Sequence, residues 1–113
     1  MCGGEVGSLL RLFLLLLIHE RPGHGYDLIE RLAATGVMDA EPGHVYRVLR
    51  GLERERLLTS RLVPSGSGPA RRRYELTAEG LDDLDARMAC LARLEGVLGA
   101  FLASWRETTG LRG

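Results

Sequence analysis

With 113 residues and 45% apolar side chains, the chain can bury one core but has no room for two domains. Fifteen arginines, no lysines and fifteen acids leave it formally neutral, which excludes a uniformly basic or polyacidic protein. Apolar and charged content are those of an ordinary globular chain, so neither a low-complexity nor a disulfide-framework class fits.

Residues 1–7, MCGGEVG, are glycine-rich and read as a disordered start. A helix is expected from about Ser8 to Glu20, apolar on nearly every face, so that other elements must cover it all round. Its run LLRLFLLLLI is half the length of a membrane span and is interrupted by Arg11, and HERPGHG follows where a leader would need a small-residue cleavage site. The sequence RPG at 21–23 breaks this helix. A second helix is expected from about His24 to Thr35, with Tyr26, Leu28, Ile29, Leu32 and Ala33 as its buried face and Gly36 as its stop.

Pro42 opens a third helix in the first-turn position that proline tolerates. Val45, Val48, Leu49 and Leu52 form its inner stripe, and Arg47, Arg50, Gly51 and Arg54 recur at i, i+3, i+4 and i+7 on the outer one. Leu57 to Val63 and Ala70 to Leu76 read as two strands around the tip PSGSGP. Two helices joined by a short turn and followed by this hairpin make a winged helix-turn-helix, mainly α with a small β-hairpin. It is assigned to residues 8–76.

Thr77 caps a last helix expected to reach about Glu107, with a flexible tail at 108–113. Along it Leu84, Met88, Leu91, Leu94, Leu98, Phe101 and Trp105 recur at three- and four-residue spacing. A stripe that long, on a helix that projects from a small domain, calls for a partner helix. The segment 77–107 is therefore expected to form a homodimer.

Charge is segregated along the chain. Between residues 44 and 74 eight arginines face two acids, a balance of +6, while the segments on either side each carry −3. A neutral protein can thus present one electropositive face. The residues expected to meet double-stranded DNA are His44, Tyr46, Arg47, Arg50, Arg54, Arg71, Arg72 and Arg73. Arg47 and Arg50, nearer the start of the helix, are placed to reach base edges, and Arg54, beside Glu53 and Glu55, to reach phosphate. The plain reading of these arginines is a solvated face. Tyr46 is left open between core packing and a phosphate contact, and Tyr74 reads as core. On a strand Arg71 and Arg73 share a face and Arg72 takes the other.

The segments HGYDLIERL at 24–32, EPGHVYRVLRGLERERLL at 41–58 and GPARRRYELTAEG at 68–80 resemble the short members of the PadR family of bacterial transcriptional regulators. With the apolar first helix and the long last one, the resemblance covers about residues 8–107. It implies a dimeric regulator, usually a repressor, on a pseudo-palindromic operator, with the third helix in the major groove and the wing on the flanking backbone. In some members a flat hydrophobic pocket at the dimer interface binds aromatic or drug-like effectors beside a tryptophan. Trp105 stands in that stretch, with Phe101 one turn earlier, and Met88 completes the effector set that the resemblance implies. Glu41, His44 and Gly51 depart from the family's usual residues around the third helix.

No nucleophile elbow, phosphate-binding glycine loop or metal-ligand spacing is present, so neither an enzyme nor a cofactor is expected, and His19, His24 and Cys90 lack the spacing of a metal site. Cys2 and Cys90 read as unpaired, which suggests a reducing cytoplasm. The alternative function is a winged-helix module for a protein or ligand partner, without tight DNA binding.

Overall fold

The computed structural model describes residues 9–36 and 40–110. The elements are α1 (Leu9–Glu20), β1 (Gly23–His24), α2 (Gly25–Ala34), α3 (Pro42–Arg54), β2 (Leu58–Ser65), β3 (Gly68–Leu76) and α4 (Ala78–Thr109). Helix α1 is the hub. Leu10, Leu12, Leu14, Leu15, Leu17 and Ile18 are buried on several of its faces, because α2, α3, α4 and β3 all pack on it. The core is completed by Leu28 and Leu32 of α2, Val45, Leu49 and Leu52 of α3, Leu58, Tyr74 and Leu84. Arg31 of α2 donates to the carbonyls of Leu17 and Arg21, and so caps the end of α1 with a cation where the helix dipole is negative.

The face expected for α2 is corrected. Leu28 and Leu32 are buried with Gly25, but Tyr26 is 62% exposed and Ala33 is exposed. Ten residues give this helix a single narrow inner stripe at i, i+3 and i+7, and Tyr26 lies one residue, or about 100°, away from it. Gly36, at φ +71, ends the helix as expected.

A third strand was not expected. Gly23 and His24 pair antiparallel with Tyr74 and Arg73, giving the sheet order β1-β3-β2. The hairpin is also longer than the sequence suggests. Ser65 pairs with Gly68 across a two-residue turn, and a register shift between Val63 and Ser65 accommodates Pro64.

Helix α3 ends in a Schellman motif, with Leu57 N–H donating to Leu52 O and Arg56 N–H to Glu53 O. The left-handed position that usually takes glycine is held here by Arg56, at φ +66. Thr77 then locks α4 to this turn. Its hydroxyl donates to the carbonyls of Arg56 and Leu57 and accepts from Gly80 N–H.

Helix α4 is 32 residues long, roughly 48 Å at 1.5 Å per residue, and accounts for the molecule's 60 Å long dimension. It ends at Thr109, with Gly110 as its left-handed cap, slightly beyond the expected stop. The expected disorder of 1–7 and the last residues of the expected tail lie outside the described residues. The reading of Cys90 as unpaired is corrected: it is disulfide-bonded. The chain's other cysteine, Cys2, lies outside the described residues. That bond removes the cysteine argument for a reducing compartment.

Candidate nucleic-acid interface

Helix α3 turns Val45, Leu49 and Leu52 inward, so its opposite face must meet solvent. Arg47, Arg50 and Arg54 are exposed there and Gly51 is half-buried between them. His44 is exposed in the first turn. Glu41 precedes the helix as N-cap but makes no side-chain capping bond, as expected of a poor cap.

The acids that flank Arg54 are engaged by other groups. Glu55 is gripped by Arg11 of α1, whose Nη1 and Nη2 donate to its two carboxylate oxygens at 2.8 and 2.9 Å. That hydrogen-bonded guanidinium holds the Glu55 carboxyl below the usual carboxylate range and raises the pKa of Arg11 in turn. Glu53 accepts from Ser60 Oγ at 2.7 Å, and Ser60 Oγ accepts from Arg72 Nη1 at 2.9 Å. The chain Arg72–Ser60–Glu53 therefore ties the wing to α3.

Strand alternation divides the wing arginines as expected. Arg72 shares a face with Ser60 and Tyr74, and the other face carries Arg61, Arg71 and Arg73. There Arg61 and Arg73 both lie 3.7 Å from Glu75. Arg73 is half-buried, and its Nε has no hydrogen-bond partner among the described residues. Arg71 and Arg72 stay exposed. Of the eight residues singled out from sequence, five lie on α3 and three on β3, where Arg71 and Arg72 are exposed on opposite faces and Arg73 is drawn towards Glu75.

Tyr46 is half-buried against the core and Tyr74 is buried. Burial, reinforced by the nearby negative charge of Glu53, pushes the Tyr74 hydroxyl up from its ordinary value. Tyr46 packs so closely on the start of α2 that a Cβ at Gly25 would lie 2.3 Å from its ring. An open cleft of about 470 Å³ lies here, lined by His24, Tyr26, Tyr46, Arg71, Arg72 and Tyr74. Sequence reasoning missed Tyr26 and His24 as part of this surface. The only signal was HGY at a helix start, which equally fits a core tyrosine.

Along α4, Leu84 is buried and Met88 and Leu94 are half-buried. Beyond them the stripe is bare: Leu98 is 51%, Phe101 71% and Trp105 58% exposed, flanked by Val97 and Leu102. Among the described residues α4 is the one helix long and apolar enough to cross a membrane, by length and composition alone. No group of three or more metal-ligating side chains occurs among the described residues.

A family model described as the transcriptional regulator PadR-like family matches residues 14–86. Among solved structures, the chain is similar to a PadR-like transcriptional regulator from Bacillus cereus. Identity is 24% over 88% of this chain and 96% of that one, with a TM-score of 0.78. A PadR family regulator from Eggerthella lenta is 31% identical over 88% of this chain and 90% of that one, with a TM-score of 0.70. Bacillus subtilis PadR in complex with operator DNA is 23% identical over 71% of this chain and 46% of that longer one, with a TM-score of 0.66. No curated protein matches the chain.

Proposed function

The chain belongs to the PadR-like family of transcriptional regulators, whose members are not enzymes, and from that premise we propose that it is a dimeric, sequence-specific DNA-binding repressor. The observation that carries the reading is the exposed basic stripe Arg47, Arg50 and Arg54 beside the exposed wing arginines Arg71 and Arg72. A similar fold in Bacillus subtilis PadR has been captured on operator DNA. Arg47 and Arg50 read base edges, where a two-pronged guanidinium–guanine contact is worth about 1–3 kcal/mol. His44, Tyr46, Arg54, Arg71 and Arg72 position the backbone, and Arg73 contributes through the local field.

Two copies join through α4, burying Leu91, Leu94, Leu98, Phe101 and Trp105 against the partner helix, with Met88 at the edge, while Leu84 stays in the core of its own head. A helix partner suits this helix better than a bilayer. Arg93 and Glu95 interrupt its apolar stretch, and each charge at mid-membrane would cost roughly 2.5–3.5 kcal/mol. A small hydrophobic effector held by Met88, Phe101 and Trp105 between the two α4 helices would favour one spacing of the heads and so shift DNA affinity. A cytoplasmic location is part of this proposal and rests on the proposed DNA target alone.

Fluorescence anisotropy on duplexes from its own promoter region, with random DNA as competitor, tests the reading. Wild-type protein should bind tightly and with strong salt dependence, and Arg47→Ala with Arg50→Ala should lose operator preference. Salt-insensitive, sequence-blind binding would instead favour a protein-partner module.

A further inference from the structure

The cleft between the start of α2, Tyr46 of α3 and strand β3 has an unusual lining for a solvent groove: three tyrosines, two arginines and a histidine, with no carboxylate. We propose that it seats one backbone phosphate of the bound duplex, with the hydroxyl of Tyr26 and the guanidinium of Arg72 as its donors. This rests on the DNA-binding reading and adds to it a residue, Tyr26, outside α3 and the wing.

Four observations support it. Tyr26 is 62% exposed although it sits on an otherwise well-packed ten-residue helix, so its hydroxyl is available at the rim. Arg72 is already oriented, because its Nη1 is spent on Ser60, which is held in turn by Glu53. A guanidinium fixed in this way loses little freedom on meeting a phosphate. Helix α2 begins at the cleft with His24 as N-cap and no side-chain capping bond to its first N–H groups. The nearest acid of that first turn, Asp27, is ion-paired with Arg31 at 3.4 Å.

The cleft is also in the right place. Tyr46 stands one turn before Arg50, so the cleft opens along the flank of the basic stripe. Gly25 permits the arrangement, since any Cβ there would strike the Tyr46 ring. A phosphate seated here fixes how deep and at what register α3 enters the groove, without reading sequence.

A methylphosphonate scan tests the assignment, with neutral linkages placed one at a time along a duplex that the wild-type protein selects from a random library. Wild type should lose roughly tenfold in affinity at one linkage per half-site, the worth of one hydrogen bond to an ionised group. Tyr26→Phe should weaken binding to selected and random duplexes by about the same factor, leave the salt slope unchanged, and lose less than wild type at that one linkage, where Arg72 still binds. Arg72→Ala should likewise lose less than wild type at the same linkage, where Tyr26 still binds, and lower the salt slope by about 1. Additive losses at every linkage, or full affinity in Tyr26→Phe, would overturn the phosphate seat while leaving the regulator reading intact. Failure of the wild-type chain to select any duplex would remove both.

Discussion

Arg11, the one charge in the apolar run LLRLFLLLLI of α1, makes a two-pronged hydrogen-bonded ion pair with Glu55 at the end of α3, at 2.8 and 2.9 Å. The pair fastens the hub of the core to the C-cap of the candidate recognition helix. It also takes one negative charge out of play beside Arg54. Because Glu55 stays half exposed, its contribution is that of a good surface bridge, about 0.5–1 kcal/mol.

Glu55→Gln should therefore lose about that much stability at pH 7, measured by urea unfolding. The sign with pH follows from the depressed carboxyl of Glu55. A group held below its unfolded value near 4.3 contributes fully above that value and loses its contribution as pH falls through the folded one. Wild type and variant should converge once pH has fallen through the depressed value of the folded state. A gap that stays constant with pH would sink the argument.

Gly80→Ala is expected to be among the most damaging small substitutions in the chain. Its Cβ would lie 2.0 Å from the Leu57 carbonyl oxygen and 3.1 Å from Leu76 Cδ2, and backbone cannot step aside cheaply. A loss of about 2–3 kcal/mol is expected in thermal unfolding. Gly96→Ala, with nothing within 4 Å, should gain about 0.5–1 kcal/mol from helix propensity and serves as the control.

Arg56→Gly should stabilise the fold. Arg56 holds φ +66 at the turn that ends α3, a conformation costing a residue with a Cβ about 1 kcal/mol relative to glycine. Its structural bonds run through its backbone, which glycine keeps. An unfolding midpoint lower than wild type would show that the arginine side chain stabilises more than its backbone strain costs.

Phe101→Glu should leave the head folded and separate the two copies, because a carboxylate buried in an apolar interface without a partner costs at least about 3 kcal/mol. Sedimentation equilibrium should report a monomer where wild type is a dimer. Trp105 emission should move to longer wavelength in the variant and, on dilution, in wild type, since the residue is 58% exposed in one protomer. A wild-type chain that sediments as a monomer at all concentrations would remove the dimer from the proposal.

The local patterns were legible in the sequence. Helix stripes, the proline start of α3, the Thr77 cap, the alternation of Arg71, Arg72 and Arg73, and the segregation of charge are all set by neighbours a few residues apart. Periodicity therefore reads them directly. What only the tertiary structure decided depends on residues far apart in the chain. Strand β1 exists because β3 offers it an edge some 50 residues away. Tyr26 faces outward because the short α2 leaves it no inner neighbour, whereas Tyr74 is buried under the same core. Arg73 turns to Glu75 while Arg72 reaches Ser60, and Cys90 is bonded where spacing suggested a free thiol. Propensity and pattern fix which face an element would bury, but only packing fixes which neighbour buries it and which polar group finds its partner.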